Sequence, residues 1–413
     1  TGTKCFISSG DHDLTENIIH LMLAKTPGAK EGTAGISLFI VPKFWVNEDG
    51  SLGAWNDVTT MGIEHKLGIH GSTTATLSMG ENDNCYGWMV GEAEVKDGRG
   101  VGMKQMFAYM NEERLNTGLF SLGCMGSAYY AALEYAKIRV QSKHSTNPKG
   151  PSVRIIEHED VRRMLMFQKS MIEACRALIY KSYLYRDLAV DAATPEERDY
   201  YDDMFAINNP LCKAYTSDMA RLTTGDAIQC HGGYGFTEEY APAELYRDVV
   251  IYGIWEGTNF IQAQDYTGRK FTMKDSVPFT KWVAEIDAFV VGKKTDEFAA
   301  EFAMMADAMV AFKDIVEMNA AWTKGDKQLK QLYATRTMHA GARVYCGMLL
   351  LDQALLAARM LKEKGDVDAD FYKGKIATAR FYVMNHVPDI FGYLKTMKCG
   401  DRSAIDIPEE SFM

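Results

Sequence analysis

The stretch Tyr252-Gly-Ile-Trp-Glu256-Gly-Thr-Asn-Phe-Ile-Gln262 sets one carboxylate between an aromatic side chain and a glycine, with hydroxyl and amide groups directly after it. A carboxylate so placed is suited to taking a proton from a weakly acidic carbon beside a carbonyl. That chemistry needs a positioned base and hydrogen-bond donors on the oxygen where negative charge gathers. Glu256 with a flanking backbone N–H offers both. Trp255 would desolvate the carboxylate and strengthen it as a base, while Gly257 leaves room for a ligand to approach the backbone. Read without its surroundings, the same glutamate is equally a surface or capping residue.

Other groupings are weaker by themselves. Gln229-Cys-His-Gly-Gly-Tyr-Gly-Phe236 is glycine-rich, yet it lacks the G-x-G-x-x-G spacing and no strand clearly precedes it, so a dinucleotide fingerprint is rejected. Ile156-Glu-His-Glu-Asp-Val161 has no second histidine one helical turn on, and no metal is expected. The acid–base pairs of Met110 to Gly118 have the spacing of a solvated helix face. Phe6-Ile-Ser8 alone is an ordinary strand tripeptide with alternating faces. Arg247-Asp248 reads as a helix-positioning ion pair, and His70 in Lys66-Leu-Gly-Ile-His-Gly-Ser72 takes a structural role.

These residues need a scaffold, and 413 residues with 47% hydrophobic and 24% charged composition supply one with real cores. A net charge of −10 argues against general affinity for nucleic acid or acidic membranes, which are recruited by clustered Lys and Arg. Eight scattered cysteines without a CxxC pair suggest neither zinc nor disulfides, and read as reduced thiols in a cytoplasmic setting. No uninterrupted apolar run of about 18 residues exists, so no membrane span is expected. From Thr1 to about Met103 short apolar or β-branched runs, Lys4–Ser8, Gly35–Pro42 and Thr73–Met79, alternate with turns such as Asn47–Gly50 and Glu81–Asn84. From Lys104 the period becomes helical, over Met103 to Val140, Asp160 to Leu188 and Asp202 to Cys230, with Ser145–Pro151 as a loop. Phe298, Phe302, Met305, Met309, Phe312 and Val316 form an apolar seam at steps of four and three, expected to be core.

Taken in order, Gln229–Phe236, Leu245-Tyr-Arg-Asp-Val249 and Trp255-Glu-Gly-Thr258 resemble the catalytic end of the acyl-CoA dehydrogenases, FAD enzymes that desaturate thioesters. The resemblance covers nearly the whole chain. It implies an α+β fold with a β-barrel-like or sandwich middle domain at 1–103, incomplete at its start. A helical-bundle FAD and catalytic domain at 104–270 and a further C-terminal helical domain at 271–413 follow. Glu256 would take the α-proton of an acyl-CoA while the β-hydrogen leaves as hydride to the flavin, giving a trans-2-enoyl-CoA. Trp255 stands where the family usually has Tyr.

By the same resemblance Phe6, Ile7 and Ser8 match the aromatic-Ile-Thr/Ser element against the isoalloxazine ring, with Phe for the more familiar Trp. Arg139 matches the flavin-phosphate arginine, although the family's following Phe-Gly is absent and Ser142 stands instead. Gln229, Gly232 and Gly233 match the element that approaches the ADP half of FAD, often across a subunit boundary, which implies a homodimer or higher. Thr258 and Asn259 match residues bonding the flavin side. Asn111, Arg114 and Gly257 fall on the substrate side, with Arg114 at the CoA portion. Electron-transferring flavoprotein is the implied electron acceptor. The ending Ile407-Pro-Glu-Glu-Ser-Phe412 and the helical extension resemble larger bacterial members, including the 3-methylthiopropanoyl-CoA dehydrogenase type. Those carry an N-terminal helical domain before the Thr-Gly-Thr-Lys point, so either a longer chain or a separate N-terminal subunit is expected. An acyl-CoA oxidase, differing in oxygen access to reduced flavin, is the nearest alternative. A non-dehydrogenating flavoprotein of the same fold is the other, disfavoured by the acidic charge and the intact Glu256-Gly-Thr.

Overall fold

The β-branched and aromatic runs of the first ninety residues do pair into strands, in a computed structural model that describes residues 1–91 and 96–413. Three strands, β1 (Gly2–Ser8), β6 (Val58–Ile63) and β7 (Thr74–Met79), make an antiparallel sheet in the order β1-β7-β6. A second sheet orders β2 (Ile19–Lys25), β3 (Ile36–Pro42) and β8 (Trp88–Met89) as β2-β3-β8. Between them in sequence, β4 (Phe44–Val46) and β5 (Leu52–Trp55) form a hairpin around the expected Asn47–Gly50 turn, where Gly50 takes φ +83°. Alternation along β7 sends Ala75, Leu77 and Met79 inward to meet Val41 and Val58, with Ile7, Met22 and Phe39 packed against them.

The helical region opens with α1 (Gly102–Ile138), close to the expected start. The expected loop Ser145–Pro151 is a loop, but it joins two short paired strands, β9 (Val140–Lys143) and β10 (Ser152–Arg154), rather than two helices directly. Then come α2 (Glu159–Val190), α3 (Pro195–Pro210), α4 (Thr216–His231), α5 (Ala241–Val249) and α6 (Asn259–Asp265). Thr194 caps α3, its hydroxyl accepting from the Glu197 N–H with Pro195 next in line, a strong start signal. Pro210 ends α3 because an interior proline removes an N–H. The chain absorbs this in a π-helical turn, Leu211–Tyr215, before α4 resumes.

Beyond residue 270 lie α7 (Val277–Gly292), α8 (Ala299–Lys324), α9 (Lys327–Leu332), α10 (Ala334–Lys364), α11 (Ala369–Asn385) and α12 (Asp389–Cys399). The expected seam along α8 is core over most of its length: Phe298, just before the helix, and Phe302, Met305, Met309 and Phe312 are buried, whereas Val316, expected to be core too, is only half-buried. By length and composition α10 could cross a membrane, but just over half of its most apolar window is buried inside the protein, against α2, α8 and α11. That burial accounts for its hydropathy. Two compact units result, Thr1–Glu113 and Arg114–Met413. The second runs across the boundary expected near residue 270, since α10 and α11 both pack on α2. All eight cysteines are free thiols.

Where α11 ends, His386 is wedged among Phe167, Phe381 and Tyr382; its Nε2 lies 3.1 Å from the Ser170 hydroxyl and its carbonyl accepts from Arg343 Nη1 at 2.7 Å. Burial, helped by the Arg343 charge, pulls its pKa down to about 3. The unfolded chain would protonate this histidine near pH 6.5 while the native protein would not, so stability rises with pH between about 3 and 6.5 and is lost on acidification. His386→Gln should remove roughly 2 kcal/mol of the stability loss between pH 6.5 and 5, measured as a flatter dependence of the urea midpoint on pH.

Candidate active site

Glu256 sits in a turn whose backbone is specified from several sides. After α5 the chain makes a 3₁₀ turn, Val250–Gly253, and the N–H groups of Ile254 and Trp255 both return to the Ile251 carbonyl at 2.9 and 3.0 Å. Glu256 then takes φ +55° and Gly257 φ +83°, two successive left-handed residues. For glutamate that conformation costs about 1–2 kcal/mol, so surrounding contacts must hold it. Arg114 Nε donates to the Glu256 carbonyl at 3.4 Å, and Gln262 Nε2 spans the Glu256 and Gly257 carbonyls at 3.5 and 3.4 Å. Thr258 closes the turn by capping α6, its hydroxyl accepting from the Ile261 N–H.

Two buried side chains, Arg114 and Gln262, lie behind this turn, while Trp255 and Glu256 are half-buried and Thr258 is exposed. Arg114 is buried, and desolvation holds its guanidinium below the usual value, with Asp265 and Glu256 pulling the other way. Expected at the CoA portion, Arg114 has its Nε on the Glu256 carbonyl. Asn111 precedes it by about one turn of α1 and is half-buried. Trp255 packs on Tyr252 with ring centroids 5.4 Å apart, and its indole N–H is buried without an acceptor among the described residues. Gly257 is tightly circumscribed: a Cβ there would lie 3.0 Å from Gln262 Nε2.

Asn259, expected on the flavin side, has its carboxamide engaged within the protein. Lys213 Nζ donates to its Oδ1 at 2.9 Å, and its Nδ2 donates to Asp218 Oδ1 at 2.7 Å and Ser217 Oγ at 2.9 Å. A lysine can only donate and an ionised carboxylate only accept, so this pair fixes which way the amide faces. Lys213 is fully buried in the π-turn; burial brings its pKa down to about 8, opposed chiefly by Asp218. Neither Lys213 nor Asp218 was legible as part of the site. The available signal was a lone cation inside the apolar run Pro210-Leu-Cys-Lys-Ala214. Arg247 lies 3.5 Å from Glu238, His158 Nε2 donates to the Gln141 carbonyl and His70 Nε2 to the Lys66 carbonyl, each a structural use.

A second cluster forms at the far end of α4. Gly232 terminates that helix with φ +62°, and Gly232, Gly233 and Tyr234 share a cleft of about 350 Å³ with Arg139, Tyr135 and His231. The Arg139 guanidinium lies 5.7 Å from the Tyr234 ring centre, and Tyr135 stacks on His231 at 4.5 Å. A Cβ added to either glycine would meet nothing within 4 Å, so both backbones face open space. Gln229 is exposed one turn earlier on α4. Near Arg139, Ser142 takes φ +58° in a bulge of the β9–β10 hairpin, a left-handed position where glycine is unstrained.

In the β unit, the tripeptide 6–8 is no ordinary strand segment. Pairing of β1 with β7 slips between Lys4 and Ile7, and Phe6 occupies the bulge with φ +60° and 76% exposure. A bulge re-aims its side chain. Ile7 turns into the β core while Ser8 is exposed.

Comparisons with known proteins agree on one family. A family model described as acyl-CoA dehydrogenase, C-terminal domain, matches residues 100–269, and one described as acetyl-CoA dehydrogenase C-terminal like matches 282–408. A butyryl-CoA dehydrogenase of Syntrophomonas wolfei is 69% identical, covering 100% of this chain and 68% of the relative. A 3-methylmercaptopropionyl-CoA dehydrogenase of Ruegeria pomeroyi is 36% identical over 92% of this chain and 63% of its own length. The solved structure of Caenorhabditis elegans ACDH-11 in complex with C11-CoA has the same fold, with TM-score 0.73 at 21% identity over 98% of this chain and 63% of that one. The chain thus spans about two thirds of the length of these proteins.

The turn geometry carries its own test. Gly257→Ala would place a Cβ at a left-handed residue and against the Gln262 amide, and is expected to cost roughly 1–2 kcal/mol. Urea denaturation of the two proteins measures it, and an unchanged midpoint would mean that the turn relaxes freely.

Proposed function

Because the chain belongs to the acyl-CoA dehydrogenase family, a family of oxidoreductases, we propose that it desaturates an acyl-CoA thioester to the trans-2-enoyl-CoA, with Glu256 as the base. The observation that carries this reading is the left-handed Glu256–Gly257 turn, held by Arg114 and Gln262 through its carbonyls. A base acts well only when its approach to the C–H bond is set beforehand, and the turn does that; the space beside Gly257, expected to admit a ligand, is taken up by Gln262, Ile261 and Arg114. The Glu256 N–H would donate to the thioester carbonyl, where the negative charge left behind by the departing proton gathers. Arg114 acts mainly through the Glu256 carbonyl, with Asn111 on the substrate side.

The residues fit FAD. Arg139 offers a guanidinium, and Gly232 and Gly233 offer open backbone in the same cleft, a donor set suited to phosphate. Gln229 extends that set one turn along α4. In the β unit the outward Phe6 offers a ring face and Ser8 a hydroxyl for the isoalloxazine, with Ile7 anchoring them from below. Thr258 serves the flavin side as the α6 cap, and Asn259 supports it from within. When bound, FAD accepts the β-hydrogen as hydride.

Electrons pass onward to electron-transferring flavoprotein. The 69% identity to a butyryl-CoA dehydrogenase supports a short linear acyl group as the substrate. We place the protein in the cytoplasm as a homodimer or higher, which is what the resemblance of the Gly232–Gly233 element implies, with the N-terminal part as a longer chain or a separate subunit.

Butyryl-CoA added anaerobically to the complete, FAD-loaded protein should bleach the flavin band, and Glu256→Gln should slow bleaching by at least about 10³-fold while leaving acyl-CoA binding in place. Full activity in Glu256→Gln would remove it as the base. Arg139→Met should raise the Kd for FAD about tenfold, from the loss of charge-assisted phosphate bonds, read by fluorescence titration of the apoprotein.

A further inference from the structure

Region 271–413 has no residue in the turn that holds Glu256, yet its hydrogen bonds reach α6, the helix that holds that turn, directly at one end and through Asp218 of α4 at the other. At the start of α6, Asn259 donates to Asp218 Oδ1, and the other oxygen, Asp218 Oδ2, receives His339 Nε2 of α10 at 2.8 Å. At its end, Gln264 Nε2 donates to Gln331 Oε1 of α9 at 2.7 Å. In between, Gln262 is fully buried and reaches back to the Glu256 and Gly257 carbonyls. A shift of α6 along or about its axis therefore moves the acidic group with it.

Asp218 is the pivot. One oxygen orients the Asn259 amide and the other is held by His339, so both lone-pair sets are directed by groups on different helices. The carboxylate can only accept, which requires Nε2 of His339 to carry the hydrogen. Tyr215, in the π-turn, lies edge-on to the His339 ring with centroids 5.4 Å apart and fixes its plane. Without the imidazole, Asp218 keeps Asn259 on one oxygen but loses the restraint that stops it from rotating. The Asn259 amide keeps its facing through Lys213 and the Ala214 carbonyl, but its placement is no longer tied to α10.

We propose that His339 is a positioning residue for the reaction: through Asp218 and Asn259 it sets the placement of α6, and so makes the C-terminal helical region part of the device that aims Glu256. The catalytic side of this inference rests on Glu256 being the base. Its mechanical side, the coupling of α10 to the Glu256 turn, does not.

The test compares His339→Ala with His339→Gln in the complete protein, because a glutamine Nε2 can donate to Asp218 from a similar reach. Hydrogen exchange followed by mass spectrometry should show peptides spanning residues 253–264 exchanging about tenfold faster in His339→Ala, the weight of one charge-assisted hydrogen bond. The Gln variant should stay within about twofold of the native protein. Peptides of the β unit and the rest of α10 should be unchanged in both. Equal exchange at 253–264 in all three proteins, or uniform loosening across the chain, would overturn the coupling. With butyryl-CoA, His339→Ala should lower the rate of flavin reduction at saturation about tenfold with KM little changed, and His339→Gln should restore it. If Glu256→Gln abolishes reduction while His339→Ala reduces at the native rate, the positioning role fails and the base assignment stands. If Glu256→Gln retains reduction while the exchange difference persists, the base assignment fails and the coupling stands.

Discussion

The Glu256 carbonyl is gripped by Arg114 from α1 and by Gln262 from α6, and the posture of the acidic group depends on that double hold. A glutamate in the left-handed region relaxes unless the surroundings over-determine it. Here the determination comes from buried donors, whose desolvation makes a lost partner costly and so keeps each bond made. Around this grip the rest follows in order: the Thr258 cap starts α6, the Asn259 amide anchors it on Lys213 and Asp218, and the C-terminal helices close over the far side.

How much of this could be read from the sequence varies with the range of the interaction. Glu256 and Gly257 stand out in the sequence as an acid between an aromatic residue and a residue without a side chain, whereas the left-handed turn they make and the capping of α6 by Thr258 do not. The α8 seam was legible from its 3.6-residue period alone. The Arg139 and Gly232–Gly233 pairing came only from resemblance, since ninety-odd residues separate them in sequence, and the shared cleft is where the fold brings them together. Lys213, Asp218 and His339 were not legible at all. Each is a single polar residue in an apolar or mixed helix, and nothing in its own neighbourhood says that its partner lies on another helix.

The same reasoning explains the architectural differences. Strands β2, β4, β5 and β6 are not picked out by the sequence: β4 and β5 are only three and four residues long, and none of the four has more than one buried residue to mark an inward face. A division near residue 270 is visible in the family models, which stop at 269 and resume at 282. Packing ignores it. With α10 and α11 lying on α2, apolar surface from both stretches is buried in common, so two sequence modules fold as one body.

The indole of Trp255 is buried beside Tyr252 with a donor that finds no acceptor among the described residues. An orphaned N–H of this kind is worth about 1–3 kcal/mol to whatever supplies it with an oxygen. Because indole emission responds to the polarity and bonding of its nitrogen, Trp255, one of six tryptophans, puts an intrinsic optical reporter one residue from the acidic group.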